Sequence, residues 1–506
     1  MLGNIWVRKA SVLLVAVAMT CGCAHRAPRT LTAPPEVMFR EQGKERLGAL
    51  GEQIGAVFDR QEFAQARWGV FIRSYDTQEV VYERNETQTF APASNEKIFT
   101  TVGSLMLLGP EFRYSTQFYS TGDLAENGSL NGDLIVQGNG NFWLGSTRPD
   151  RNLDNQLAGL ATECLGAGIH EIKGDLIGDD TWIDSHVTGW RVGSVVLDHN
   201  QIHATLFDGG QRMEVTPALP TIKVIDQVER LNSDSQERSQ IRLRQVPKDS
   251  PDYLTGAHAF YLTGRIKPGE TLTGTGSLQG AEPVQFYLDA LRAAFLKHGI
   301  AIGGSTRIIK VRDENHAALM DKATFRFQSL SPPLWEIVRW TNKPSDNYRA
   351  ERLFLTCGQS LTTGTSTHSG EKAIKGVLLK FGIRPELYHL EDGSGLSRND
   401  QVRPFDIVRI LDAMRETSYF PVFYDSLPIA GVDGTLVNRM KNTPAENNVH
   451  AKTGHIRGVT ALSGYVTSLA GERFTFSMII NDNKVESAVP DGAENEVCAL
   501  LAGFSR

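Results

Sequence analysis

The segment Ser94-Asn95-Glu96-Lys97-Ile98-Phe99-Thr100-Thr101-Val102-Gly103-Ser104-Leu105-Met106-Leu107-Leu108-Gly109-Pro110 opens on polar residues, becomes strongly apolar from Phe99 to Leu108, and closes on Gly-Pro. Gly-Pro after an apolar run ends a helix, so the pattern predicts a buried helix starting near Ser94. Residues three apart share a helix face, which puts Lys97 beside the Ser94 hydroxyl. A serine hydroxyl is a weak nucleophile until a base lies within hydrogen-bond reach. A lysine stripped of water and set near other cations can be that base. Taken alone, the Ser-x-x-Lys string is common, and a helix cap followed by a surface lysine is its plainer explanation.

Working outward, Trp68 to Tyr75 and Glu79 to Arg84 read as a hairpin around Asp76-Thr77-Gln78. At the far end of the chain, Ala461 to Thr467 and Arg473 to Ile480 alternate as strands around Ala470-Gly471, and residues 493–503 read as a closing helix. Helical patterns fill Trp335 to Trp340, Tyr348 to Cys357, Ala373 to Phe381 and Phe405 to Met414. Strands at both ends flanking helices predict one α+β domain whose sheet joins the two ends. It would cover residues 37–113 and 325–506. Residues 114–324 differ in texture, with Gly-Asp, Asn-Gly and Gly-Asn punctuation between short strands such as Asp133 to Gln137. They read as a mostly β insertion of two small nested domains. Within it, Leu157 to Ile169 and Phe286 to Ile300 are both helix patterns ending in Gly-Ile, each followed by a strand.

The chain has 506 residues, 41% apolar and 22% charged, with net charge −6. That mixture is globular, and it excludes a disordered, collagenous or polytopic membrane chain. The charge is too small for a polybasic nucleic-acid binder, and no dense Lys/Arg block compensates. Cysteines at 21, 23, 164, 357 and 498 form no Cys-x-x-Cys pair and imply neither a zinc site nor a disulfide scaffold. At the N-terminus, Arg8 and Lys9 precede an apolar run from Ala10 to Met19 of signal-peptide length, too short to span a bilayer. Residues 1–22 are read as a signal peptide and 23–36 as a tether. Thr20-Cys21-Gly22-Cys23 resembles a lipoprotein box, which makes Cys23 the expected lipidation site; ordinary cleavage is the alternative.

Two further motifs accompany Ser94 and Lys97. Ser345-Asp346-Asn347 precedes the Tyr348 helix, where its hydroxyl and amide can face one cleft, although Ser, Asp and Asn are also ordinary capping residues. Lys452-Thr453-Gly454 sits just before the C-terminal hairpin, on an expected outer strand. There, glycine leaves room for a ligand along the edge. Together, Ser-x-x-Lys, Ser-Asp-Asn and Lys-Thr-Gly in this order are the signature of penicillin-binding proteins and class A β-lactamases.

Longer strings narrow the resemblance: Asn342-Lys343-Pro344-Ser345-Asp346-Asn347, Asp392-Gly393-Ser394-Gly395-Leu396-Ser397-Arg398, and Ala430-Gly431-Val432-Asp433-Gly434-Thr435-Leu436. From about residue 40 onward the chain resembles the low-molecular-mass class C penicillin-binding proteins, the D-alanyl-D-alanine carboxypeptidase/endopeptidase family. The resemblance implies a penicillin-binding, serine β-lactamase-like catalytic domain with a large insertion. It implies Ser94 as acylated nucleophile, Lys97 as its base, Ser345 as proton relay and Asn347 as the carbonyl's orienting group. Lys452 and Thr453 would hold the terminal carboxylate along Gly454. The backbone N–H groups of Ser94 and His455 would form the oxyanion hole. Asp179 and Arg398 would lie near the diamino acid of the peptide stem. The implied partners are peptidoglycan D-Ala-D-Ala peptides and β-lactams, in the periplasm, with no cofactor, no metal and no nucleic acid.

Three features depart from that pattern. Gly138-Asn139-Gly140-Asn141-Phe142-Trp143 replaces a glycine run ending in Asp-Pro, and Leu206-Phe207-Asp208-Gly209-Gly210 lacks a small-residue run. His455 stands where a small or hydroxylated residue is usual; its plain reading is a solvated histidine. Other strings are set aside. Gly274-Thr275-Gly276-Ser277-Leu278-Gln279-Gly280 lacks a preceding buried strand for dinucleotide binding, and Asp179-Asp180 reads as a turn with solvated carboxylates. A serine β-lactamase and a catalytically idle peptidoglycan-binding scaffold are the rival functions. The long insertion argues against the first, and Lys97 beside Ser94 against the second.

Overall fold

The computed structural model describes residues 35–144, 153–182, 193–197, 200–254, 258–278, 282–361 and 366–505. The expected signal peptide, Cys23 and nearly all of the expected tether lie outside them; only Pro35 and Glu36, the last tether residues, are described, and they begin a helix.

One antiparallel sheet of five strands joins the two chain ends. Its order is His450–Ile456, Val459–Thr467, Arg473–Asn481, Arg67–Ser74, Val80–Arg84. The junction runs from Arg67 opposite Asn481 to Ser74 opposite Phe474. The central strands are buried on both faces, because helices cover each side and the alternating side chains divide between two cores. Leu462, Met478, Ile480, Val70 and Ile72 pack with Ile54 of the Pro35–Phe58 helix and Val497 and Leu501 of the Ala488–Gly503 helix. On the opposite face Ala461, Tyr465 and Ile479 meet Ile407, Ile410 and Leu411 of the Pro404–Arg415 helix. That second core also holds the Glu96–Leu108 helix, whose Ile98, Phe99, Val102 and Leu105 are fully buried. Gly109, with φ +78°, ends it as expected.

The chain leaves this domain along Ser115–Ser120 and returns along Thr324–Leu330. These two strands pair antiparallel, Ser115 opposite Leu330. They form one side of a mixed five-stranded sheet that continues through Leu134–Gly138, Leu176–Asp179 and Thr306–Ile309. The two look-alike stretches sit side by side here. The Leu153–Gly166 and Pro283–Lys297 helices share one core. Ile302 aligns parallel with Ile172, and Thr306 to Ile309 with Leu176 to Asp179. Three three-stranded sheets complete the insertion, one of them made of Ser129–Leu130, Glu171–Ile172 and Ala301–Ile302. The Gly274 run is not a loop before a helix: Leu272–Ser277 is a strand, and Arg265 and Ile266 end the strand His258–Ile266.

Cys164, Cys357 and Cys498 are free thiols, each buried in a different core. The aromatic departure Phe142-Trp143 also has a structural place. Both rings are buried in the second core, Phe142 lying 5.0 Å from Tyr114 and 6.2 Å from Tyr348. They fasten the insertion to the helix that follows Ser345-Asp346-Asn347.

Candidate active site

Ser94 lies in a tight 3-10 turn, Ala93–Asn95, directly before the buried helix. The turn carries Ala93 at φ +47°, a left-handed conformation that costs a non-glycine residue energy and marks a constrained site. Ser94 is half-buried, whereas Lys97 one turn later is fully buried. The Lys97 ammonium has three acceptors: Ser94 Oγ at 3.0 Å, Asn347 Oδ1 at 2.7 Å and the Ser394 carbonyl at 2.6 Å. Burial lowers the Lys97 pKa to about 8, against the opposing pull of Glu351, Asp392, Asp346 and Glu96. A lysine so placed exchanges its proton near neutral pH.

Ser345-Asp346-Asn347 divides its duties. Asp346 caps the Asn347–Gln359 helix by accepting from the Arg349 N–H at 2.8 Å. The flanking side chains turn to the cleft: Asn347 to Lys97, and Ser345, at φ +60°, to Lys452. Lys452 Nζ donates to Ser345 Oγ at 2.9 Å and to its neighbour's carbonyl, Thr453 O, at 2.9 Å. Full burial and the nearby Lys97 depress the Lys452 pKa strongly. Thr453 Oγ1 lies 2.7 Å from Thr435 Oγ1.

These three residues belong to the edge strand His450–Ile456, as expected. Gly454 brings that strand against the Ala93–Asn95 turn. A Cβ there would stand 2.8 Å from Pro92 O and 3.1 Å from the Ser94 nitrogen. His455 is not merely solvated, because its Nε2 lies 2.9 Å from Asp491 Oδ1, which also receives Arg439.

Residues without an assigned role in the sequence complete the enclosure. Asp392 accepts from the N–H groups of Ser394 (2.9 Å), Gly395 (2.5 Å) and Ser397 (2.7 Å). Glu351 accepts from Gly393 at 3.2 Å, and Thr100 donates to the Gly393 carbonyl at 2.7 Å. This lacing aims the Ser394 carbonyl at Lys97. Gly395 has φ +81°, and a Cβ there would lie 1.8 Å from Ala93 O. Burial pushes the Glu96 carboxyl far up and, with Asp392 beside it, raises Asp400 to about 9. The strings around Asp392 and Thr435 stand out in the sequence, but their contacts with Lys97, Thr100, Glu351 and Lys343 come from residues far away in the chain.

Arg398 is at the rim, donating to the Arg457 carbonyl in the turn after the edge strand. Asp179 is not brought to this cluster by any of its hydrogen bonds. It is buried inside the insertion, bonded by Gln137 (2.6 Å), His316 (2.9 Å) and the Thr181 N–H (3.1 Å). Asp180 is buried too, accepts from the Ser194 N–H at 2.7 Å, and is raised by burial to about 6. The expectation of solvated carboxylates fails here because the strand end carrying them packs under the Pro283–Lys297 helix, where Val284 meets Gly178.

Comparison with known proteins agrees with this geometry. A D-alanyl-D-alanine carboxypeptidase of an Actinomadura species is 27% identical over 500 residues, covering 94% of this chain and 89% of that protein. The D-alanyl-D-alanine carboxypeptidase DacB of Haemophilus influenzae is 29% identical over 435 residues, 82% of this chain and 85% of that one. The crystal structure of penicillin binding protein 4 (dacB) from Haemophilus influenzae superposes with TM-score 0.69 at 26% identity, covering 89% of this chain and 99% of the other. A second crystal structure of that protein, complexed with a β-lactam, gives 0.67 with the same coverage. The profile of the D-Ala-D-Ala carboxypeptidase 3 (S13) family matches residues 50–502, and the chain belongs to that family.

Proposed function

We propose that this protein is a penicillin-sensitive serine D-Ala-D-Ala carboxypeptidase, with endopeptidase action on cross-linked stems, that works through an acyl-enzyme at Ser94. The observation that carries the reading is the Lys97 ammonium held 3.0 Å from Ser94 Oγ in a buried pocket that lowers its pKa to about 8.

Neutral Lys97 takes the Ser94 proton as Oγ attacks the carbonyl carbon of the D-Ala-D-X bond. The developing oxyanion is received by the Ser94 and His455 N–H groups. The proton passes by way of Ser345, joined to Lys452 at 2.9 Å, to the leaving amine as the C–N bond breaks. Water then attacks the ester, returns a proton to Ser94 and frees the shortened stem. Lys452 and Thr453 hold the terminal carboxylate, and Asn347 orients the peptide. Arg398 serves the outer part of the stem. Asp179, bonded wholly within the insertion, is given no such role.

The catalytic unit is proposed as residues 37–113 and 325–506, with 114–324 inserted. Export to the periplasm and a lipid on Cys23 belong to the same reading. A mature protein starting at acylated Cys23, seen by mass spectrometry, supports the tether, and an unlipidated start beyond it refutes it.

The activity is tested by D-alanine release from a pentapeptide ending in D-Ala-D-Ala. Wild type should release it, and a folded Ser94→Ala variant should not. Release by the variant at the wild-type rate would refute the mechanism.

A further inference from the structure

Beside the carboxylate end of the cleft lies a cavity of about 600 Å³ walled by Arg339, Trp340, Lys343, Asp433 and Thr435. It shares its walls with the reactive groups. Lys343 is two residues before Ser345, and Thr435 hydrogen-bonds Thr453. The Asp433–Thr435 turn is clipped to Lys343, whose carbonyl accepts from the Thr435 N–H at 3.1 Å and whose ammonium pairs with Asp433 at 2.7 Å. Gly434, at φ +58°, permits that approach: a Cβ would lie 2.6 Å from the Lys343 carbonyl. Lys343 is therefore neutralised by Asp433. Arg339, exposed on the same wall, has no ion pair among the described residues.

A carboxypeptidase expels one small D-amino acid from this end, and that needs little space beyond the carboxylate clamp. The cavity is of the size that encloses a sizeable ligand, ~300–1,000 Å³. With an unpaired guanidinium and an indole in its wall, it suits an extended anionic group with some apolar surface. Resting on the acyl-transfer reading, the geometry points to this cavity as the subsite for the leaving strand of a peptide cross-link. The amine released there belongs to a diamino acid that carries a second stem with its own carboxylates. Arg339 binds one of those carboxylates and Trp340 covers the stem's apolar part. The bond chemistry is unchanged: the Ser94 ester forms, the C–N bond breaks, and the departing amine takes the relayed proton.

The test compares a purified cross-linked stem dimer with the monomeric pentapeptide, using Arg339→Ala, Arg339→Glu and Trp340→Ala, with penicillin adduct formation as the measure of an intact site. The subsite predicts a loss of roughly 10-fold or more in kcat/KM for the dimer in the Arg339 variants, larger for Glu than for Ala. Pentapeptide hydrolysis and penicillin uptake should stay within about twofold of wild type, the range of ordinary surface changes. Equal losses on dimer and pentapeptide, or no loss on either, would overturn it. A wild type that forms the adduct and cleaves pentapeptide but never the dimer overturns the subsite and the endopeptidase action, and leaves the acyl-transfer reading standing. A wild type that does none of these overturns the acyl-transfer reading and the subsite with it.

Discussion

In the proposed mechanism, Lys97 is the residue whose environment sets the pH at which the site works. Its pKa of about 8 means the neutral base gains population as pH rises, so acylation should increase about tenfold per unit below pH 8 and level off above it. The negative field of Glu351 holds that value up. Glu351→Gln should therefore move the acid limb of the acylation profile to lower pH, measured as the rate of penicillin acylation against pH. An unmoved limb would remove Glu351 from the base's environment. Lys97→Arg should abolish acylation, since a guanidinium does not give up its proton.

Lys452 poses the opposite requirement. Burial and the nearby Lys97 depress its pKa, and in the proposed mechanism a substrate carboxylate offsets that burial. Lys452→Ala should cost ~30- to 1,000-fold in kcat/KM for a peptide acid, and much less for the corresponding amide. Equal losses on both peptides would rule out carboxylate binding by Lys452. The placing of Ser94, Lys97 and the edge-strand lysine around one cleft was legible because each motif is local. Ser394, Glu351 and Asp392 were not, because only folding brings a carbonyl nearly 300 positions away onto Lys97.

Among elements, the contact that matters most is the edge strand against the Ala93–Asn95 turn. Gly454→Ala would press a methyl group onto Pro92 O and the Ser94 nitrogen, at about 1–3 kcal/mol of overpacking. The expected outcome is a folded protein whose penicillin acylation falls far more than its Tm; a normal acylation rate would show that the strand gives way. The 392–400 loop should respond to pH through Asp400. Its folded pKa of about 9 lies above the ordinary carboxylate value of 3.8, so the folded state binds the extra proton between these limits. Stability from this group is present below about pH 4 and is lost as pH rises towards 9. Asp400→Asn keeps an acceptor for the Glu391 and Asp392 N–H groups and removes that loss. Its Tm should fall less than wild type from pH 5 to 9, as calorimetry would show; parallel curves would contradict the assignment. The helices read in the sequence and the terminal strands end within six residues of the observed limits, the Thr367–Lys380 and Ala488–Gly503 helices starting earlier than their apolar patterns, while the short Phe420–Ser426 helix has no such pattern. Inside the insertion the two helix-then-strand stretches were legible, but the sheet of Ile222–Arg230, Gln240–Gln245 and His258–Ile266 was not, since partners such as Ile222 and His258 pair across intervening chain.

At the scale of the molecule, two cores flank the terminal sheet and a third fills the insertion. The return of the chain beside its exit strand explains how so long an insertion leaves the catalytic sheet intact. Phe118, stacked on Phe327 at 4.2 Å across those two strands, is buried in the insertion core. Phe118→Ala should cost about 3–5 kcal/mol, seen as an earlier unfolding transition by calorimetry, while acylation of the surviving native protein continues. Loss of acylation in native protein would mean that the insertion shapes the catalytic cleft directly. The most direct test of the whole account is intact-mass analysis after incubation with a penicillin, followed by peptide mapping. The account predicts one adduct per chain, on the peptide containing Ser94, and none in Ser94→Ala. An adduct on any other residue, or none in the wild type, would contradict it.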